Sequence, residues 1–186
     1  LPWGATEAHN TRLPYATDVV EASEVAIAAA GIAWGRGARV VVLPPVPFGV
    51  NTGQLAVPYC LNLNPTTQLA VLRDLLRAVE PHGARKFVIV NGHGGNDFKP
   101  LLRELQPQTP LFLSFLNWWT VLDARRYFAE PGDHAGALET SVMLHLAPAQ
   151  VRALSEAGAG KARRFRIAAL REGWAWAQRD WPSVTD

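Results

Sequence analysis

With 186 residues, 48% of them hydrophobic, the chain is long enough to bury an ordinary core without disulfides, and one domain is expected over residues 1–186. The net charge of +2 comes from largely dispersed Lys and Arg, which argues against a nucleic-acid partner. No apolar run approaches the roughly 20 residues that cross a bilayer, so no membrane partner is expected.

The chain ends and the cysteine content bear on completeness and compartment. The chain begins at Leu1 without an initiator Met, and its Trp-rich end stops abruptly. We therefore expect the domain to lack a few N-terminal residues and a C-terminal part. The single cysteine, Cys60, has no partner for an intrachain disulfide, which agrees with a reducing, cytoplasmic location.

Short apolar or β-branched runs alternate with helical patterns along the chain. Buried strands are predicted at residues 39–43, 86–90 and 111–116. Helices are predicted at residues 19–30, Pro65–Val79, 96–105 and 138–146. This alternation is typical of α/β proteins, in which right-handed helical crossovers join parallel strands. We therefore predict a three-layer α-β-α sandwich with a mostly parallel sheet.

Two carboxylates and an imidazole lie close together near the start of the chain. Glu7 and His9 are two residues apart, so in an extended segment their side chains project to the same side. Asp18 follows after a segment whose Leu13-Pro14 pair favours a loop that turns back toward them. These side chains are typical ligands of a divalent metal, and a metal site is predicted here. The alternative is a chance cluster of surface residues.

A glycine-rich segment, Asn91-Gly92-His93-Gly94-Gly95-Asn96, follows the predicted strand at 86–90 and leads into a helix. In open parallel sheets, ligands bind beyond the carboxyl ends of the strands, which places His93 at the expected crevice. The glycines permit close approach of the backbone. His93 is therefore predicted as a metal ligand. The alternative is a structural turn in which the histidine caps the helix or binds an anion.

A later loop carries His134, just before the predicted helix at 138–146, and Glu139 in the first turns of that helix. An acid near a helix N-terminus is stabilised by the helix dipole, so Glu139 also has a structural explanation. We favour a role in the site for both residues, because the turn should face the crevice and an imidazole near neutral pH can transfer protons.

Together these segments resemble the creatininase (creatinine amidohydrolase) family over nearly the whole chain. They are Thr6-Glu7-Ala8-His9 with Leu13-Pro14 and Thr17-Asp18, then Asn91-Gly92-His93-Gly94-Gly95-Asn96, then His134-Ala135-Gly136 with Glu139-Thr140-Ser141. The resemblance implies an α-β-α sandwich that uses Zn and/or Mn to hydrolyse a cyclic amide or a related non-peptide C–N bond. It also implies a small-molecule amide substrate and a homo-oligomer, commonly a hexamer.

The resemblance assigns a role to each candidate residue. The positions that match metal ligands are Glu7, His9, Asp18 and His93. Asp18 is expected to bridge two ions, because a carboxylate has two oxygens. His134 matches the catalytic histidine, and Glu139 matches the following acid, as base or as metal ligand. On this interpretation a water activated by one or two divalent ions attacks the amide carbon, and His134 or Glu139 relays the proton to the leaving nitrogen.

Four positions depart from the family pattern. Gly95 stands where creatininase carries a Glu, Asn10 where Gly is usual, Arg12 where His is usual and Ala137 where an acid is common. These changes keep the candidate ligands but bear on the substrate. The alternatives are a non-catalytic metal-binding relative and a deformylase-type or lactone-type hydrolase of the same family. A further alternative is a serine hydrolase that uses the glycine-rich segment as an oxyanion loop, but the sequence contains no Gly-x-Ser-x-Gly motif to supply the nucleophile.

Overall fold

The computed structural model describes residues 1–158 and 165–181, so the parts of the predicted domain at 159–164 and 182–186 lie outside the described residues. Three parallel strands form the described sheet in the order β1 (Pro2–Trp3), β2 (Lys86–Asn91) and β3 (Phe112–Asn117). The helices are α1 (Thr17–Gly35), α2 (Pro65–Val79), α3 (Phe98–Leu105), α4 (Ala137–Leu146) and the short α5 (Ala168–Arg171). No helix in the described ranges is long and apolar enough to span a membrane.

Helices cover both faces of the sheet, which confirms the predicted α-β-α sandwich. On one face, inward residues of β2 such as Phe87 and Ile89 pack in a core with Leu72 of α2 and Phe98 of α3. On the other face, α1 packs against β1 and β2 and also contacts α4. The alternation of side chains along a strand explains why β2 can supply both layers.

The prediction of a strand at residues 39–43 is wrong. That segment contains no strand, and Val41 in its middle is 81% exposed. Pairing with β1 begins only at Val46, which forms a parallel bridge with Trp3. Within the described residues, no β-bridge includes residues 39–43. A β-branched run without a partner cannot satisfy its backbone hydrogen bonds as a strand.

The other predicted elements are confirmed, with shifted ends. The strands predicted at 86–90 and 111–116 are β2 and β3, and α2 has its predicted bounds. α1 is longer than the predicted 19–30 at both ends, and because no proline interrupts residues 31–35 it continues to Gly35. α3 begins after Asp97, whose carboxylate caps the helix by accepting the N–H of Lys99 at 3.2 Å.

Candidate metal centre

The carboxyl ends of the strands bring the predicted site residues together. In the sheet register, Trp3 lies beside Asn91 and Asn91 beside Asn117, so the segments after β1 and β2 leave from one edge. Asp18 approaches this edge from the first turn of α1. A Cβ at Gly92 would lie 2.3 Å from the carbonyl oxygen of Asp18, so only glycine lets the start of α1 come this close.

Glu7, Asp18 and His93 form the first group of candidate ligands. The Nδ1 atom of His93 lies 2.8 Å from a carboxylate oxygen of Glu7 and 3.2 Å from one of Asp18. All three residues are buried. Their ligand atoms lie within 4.8 Å of one another, which is close enough for one divalent ion to contact all three.

His9, Asp18 and Glu139 form the second group. The Nε2 atom of His9 lies 3.0 Å from the other carboxylate oxygen of Asp18 and 4.0 Å from an oxygen of Glu139. Each oxygen of Asp18 therefore faces a different histidine and a different group. Glu139 reaches the group from the first turn of α4. This arrangement has the form of a pair of ion sites that share one carboxylate, and the bridging role of Asp18 stays a prediction.

His134 lies beside both groups. Its Nδ1 atom is 3.7 Å from a carboxylate oxygen of Glu7, and its ring centroid is 4.4 Å from that of His9. The third set of candidate ligand atoms joins these three residues. The side chain of His134 is 18% exposed, whereas His9 is fully buried. His134 is therefore the most exposed of the three histidines near the carboxylates.

Backbone carbonyls fix the orientation of the three imidazoles. His9 donates from Nδ1 to the carbonyl of Glu7 at 3.2 Å, and His93 donates from Nε2 to that of Val50 at 2.9 Å. His134 donates from Nε2 to the carbonyl of Ala8 at 2.6 Å. In each ring the other nitrogen faces the carboxylates. Histidines that ligate metals have this backing hydrogen bond, because it sets the tautomer and the direction of the free nitrogen.

The charges of the cluster strongly perturb the histidines and Asp18. Burial lowers the pKa of His9, but Asp18, Glu7 and Glu139 outweigh burial and raise it to about 10. Burial likewise opposes the charge on His93, whereas Glu7 and Asp18 raise its pKa well above the usual value. The two histidines together hold the pKa of Asp18 below its usual range, against burial. Carboxylates gathered this closely require positive charge, which a divalent cation would supply.

Unpartnered atoms test whether these residues fit a metal. Among the described residues, the Nε2 atom of His9 and one carboxylate oxygen each of Asp18 and Glu139 are buried and make no hydrogen bond. The first two have only ion-pair contacts, His9 with Asp18 at 3.0 Å and this Asp18 oxygen with His93 at 3.2 Å. Buried polar atoms normally have a partner. The His9 nitrogen and the Glu139 oxygen belong to the second group, whereas the Asp18 oxygen faces His93 in the first. Imidazole nitrogen with carboxylate oxygen is a donor set that suits Zn or Mn. The residues therefore fit one or two divalent ions.

Glu21 is a site residue that sequence reasoning missed. It lies one turn after Asp18 on α1, is fully buried, and neither of its carboxylate oxygens has a hydrogen-bond partner in the described chain. Burial, with the charges of Glu139 and Asp18, raises its pKa to about 9. The signal was present in the sequence, because an acid three residues after Asp18 on a helix lies on the same face.

Close packing around residue 95 gives a steric reason for Gly95, where the family resemblance led us to expect a Glu. A Cβ at residue 95 would lie 2.3 Å from the carbonyl oxygen of Val50 and 2.4 Å from the Nε2 atom of His93. These are the two atoms that form the hydrogen bond behind His93. In this chain Glu139 is the acid that stands in the second ligand group instead.

A cavity of about 760 Å³ opens over the two ligand groups. Its floor includes Glu7, Asp18 and His93, and its walls include Trp119, Trp176 and Trp181. The ring centroid of Trp181 lies 5.0 Å from that of His134, and the guanidinium of Arg179 stacks on the same Trp181 ring, 4.5 Å from its centroid. The candidate metal centre thus lies at the base of an aromatic-walled cavity.

Comparison with known families gives one match over the whole chain. The family model Creatininase, described as creatinine amidohydrolase, matches residues 1–186. A crystal structure of a candidate creatinine amidohydrolase from Bacteroides fragilis NCTC 9343 is 44% identical, with a TM-score of 0.93. That match covers 100% of this chain and 74% of the other chain.

Two curated relatives carry different names. The mycofactocin precursor peptide peptidase of Mycolicibacterium smegmatis is 31% identical over 160 residues, covering 81% of this chain and 58% of the peptidase. The creatinine amidohydrolase of Pseudomonas putida is 28% identical over 170 residues, covering 80% of this chain and 64% of that protein. The chain thus spans less than two thirds of either relative, and the two names describe different substrates.

Proposed function

The chain belongs to the creatininase family, whose named members are hydrolases, and we propose that it is a metal-dependent hydrolase of an amide C–N bond. The observation that carries the proposal is the shared carboxylate of Asp18, which faces His93 through one oxygen and His9 through the other. We propose Glu7, Asp18 and His93 as ligands of one divalent ion, and His9, Asp18 and Glu139 as ligands of a second.

Zn and Mn are the proposed ions. Solved creatininases include one named as the Mn form and a mutant named as the Zn–Zn type. The imidazole and carboxylate donors of this chain suit either ion. When bound, a divalent cation would supply Lewis acidity, lowering the pKa of a water molecule and polarising a carbonyl oxygen. The chain itself contributes the fixed imidazoles and the desolvated floor of the cavity.

His134 is the proposed proton-transfer group. Because its Nε2 donates to the carbonyl of Ala8, its Nδ1 is the nitrogen free to accept a proton from the attacking water and return it to the leaving nitrogen. Its ring is partly exposed to the cavity beside Trp181. Glu139 is the proposed second acid–base group if the second ion is absent. Burial raises the pKa of Glu139 in spite of the opposing charges of His9 and His134. The raised pKa favours transient protonation of this carboxylate.

The proposed substrate is a small-molecule amide, with a cyclic amide or another non-peptide C–N bond as the first candidate. A peptide bond is the second candidate, supported by the relatives named as peptidases and by the cavity. A cavity of about 760 Å³ is in the range of pockets that hold drug-sized ligands, and it exceeds what a single five-membered ring fills. We further propose that the protein is a cytoplasmic homo-oligomer such as a hexamer. The mass of the assembly in solution measures the number of subunits.

Metal analysis and a substrate panel test the proposal. Purified protein should contain Zn or Mn, and chelator should abolish hydrolysis in a panel of cyclic amides, N-formyl amides, lactones and short peptides. Glu7→Ala should lose metal and activity, whereas Glu24→Ala, at an exposed acid of α1, should behave as wild type. Absence of bound metal, together with hydrolysis that metal does not stimulate, would contradict the proposal. Tight metal binding without turnover would instead indicate a non-catalytic relative.

A further inference from the structure

Two buried residues with no assigned role stand behind the candidate ligand Glu7. Gln54, at the end of a 3₁₀ turn over Thr52–Gln54, and Cys60 lie in the connection between α1 and α2, and both are buried. The side-chain amide nitrogen of Gln54 donates to one carboxylate oxygen of Glu7. The thiol of Cys60 contacts the amide oxygen of Gln54 at 3.1 Å. A chain of hydrogen bonds therefore runs from the thiol to the carboxylate.

The chemistry of the groups gives this chain a single direction. An ionised carboxylate only accepts hydrogen bonds, so the amide NH₂ of Gln54 must face Glu7. The amide oxygen then faces Cys60, and because that oxygen only accepts, the sulfur must donate its proton. Burial raises the pKa of the Cys60 thiol, in agreement with a sulfur that keeps this proton. Each group therefore orients the next one.

The same sulfur also contacts the backbone of the ligand segment. The N–H of Ala8, which lies between Glu7 and His9, donates to the Cys60 sulfur at 3.2 Å. Cys60 thus holds both the side chain that orients Glu7 and the peptide unit between two candidate ligands. The second oxygen of Glu7, which Gln54 does not contact, is the one that lies 2.8 Å from His93.

From these contacts we propose that Gln54 and Cys60 are positioning residues of the metal centre. Gln54 holds one oxygen of Glu7, so that the other oxygen is presented to the ion, and Cys60 sets the orientation of the Gln54 amide. This inference rests on the proposed function, since it requires that Glu7 ligates a metal. Loss of an outer hydrogen bond to a ligand typically weakens metal binding by about 10–100-fold.

Zinc affinity of the metal-free full chain, measured in competition with a chromophoric chelator, tests the proposal. Gln54→Leu removes the donor at nearly constant size and should weaken Zn²⁺ binding by about 10–100-fold. Cys60→Ala should weaken it less, and Cys60→Ser, which restores an O–H donor, should return it close to the wild-type value. The visible spectrum of the Co²⁺-substituted protein should change in Gln54→Leu and Cys60→Ala, because the ligand geometry changes.

Gln106→Leu is the matched control. Within the part of the chain that the structure describes, its amide bonds only the backbone of Leu111 and Leu113, at the opposite end of β3 from the candidate site. Its loss should therefore leave Zn²⁺ affinity unchanged. Wild-type affinity in both Gln54→Leu and Cys60→Ala would overturn the inference. So would a Cys60→Ser variant as weak as Cys60→Ala, or equal weakening in Gln106→Leu. If Gln54→Leu does not fold, the Cys60 pair decides, and a wild-type protein that binds no Zn²⁺ refutes the proposed function itself.

Discussion

Replacing Glu21 by Gln should make the stability of the metal-free protein less dependent on pH. The burial of Glu21 and the charges of Glu139 and Asp18 raise its pKa from 4.5 to about 9 in the folded state. Below pH 4.5 the group is protonated in both states. As the pH rises, the unfolded chain ionises at Glu21 while the folded chain keeps the proton, so the folded state loses stability until about pH 9.

The size of this effect follows from the pKa difference. One pKa unit corresponds to about 1.4 kcal/mol, so at pH 8 the loss from Glu21 is on the order of 5 kcal/mol. Glutamine has the same size and no charge, and the cost of its own buried amide does not change with pH. The free energy of unfolding of Glu21→Gln should therefore rise relative to wild type by about 4 kcal/mol between pH 5 and pH 8.

Urea denaturation of chelator-treated protein at several pH values measures this difference. Glu24→Gln, a change at an exposed acid on the same helix, is the control and should follow the wild type at every pH. Parallel pH profiles for wild type and Glu21→Gln would refute the reasoning, because they would mean that Glu21 has the same pKa in the folded and unfolded chain.

Three further predictions concern the ligands and their support. Gly95→Ala should displace His93 and destabilise the fold by about 1–3 kcal/mol with weaker metal binding, whereas Gly94→Ala, with open space at its Cβ, should be neutral in thermal melts. Zn²⁺ binding at pH 8 should release about one proton or more, because His9 has a pKa near 10 without metal; calorimetry in buffers of different ionisation enthalpy measures it. Asp18→Asn should lower the amount of metal bound per chain more than His9→Ala does, because Asp18 belongs to both ligand groups. Elemental analysis of the two purified variants measures this difference.

Local rules predicted the part of the site that depends on strand ends. The β-branched run at 86–90 followed by a glycine-rich segment placed His93 at the carboxyl edge of the sheet, and the structure has it there. The spacing of Glu7 and His9 predicted that they would face the same centre, and their side chains lie 3.9 Å apart. Such patterns need only the strand period and the rule that ligands bind beyond strand ends.

Features that depend on distant parts of the chain were not predictable in this way. Residues 39–43 have the composition of a strand but form no bridge in the described part of the chain, and pairing is not a local property. Gln54 and Cys60 lie in an irregular segment with no period to exploit, so their contact with Glu7 is apparent only in the folded chain. Glu21 was recoverable from helical spacing, but an Ala-rich helix gave no reason to single out one acid.

The most direct test of the central claim is anomalous diffraction from crystals of the Zn²⁺-loaded and Mn²⁺-loaded protein, measured at the edge of each metal. The account predicts a peak among Glu7, Asp18 and His93, with any second peak on the other side of Asp18, toward His9 and Glu139. Metal-loaded crystals without a peak at Asp18, or with the metal held by other residues, would contradict it.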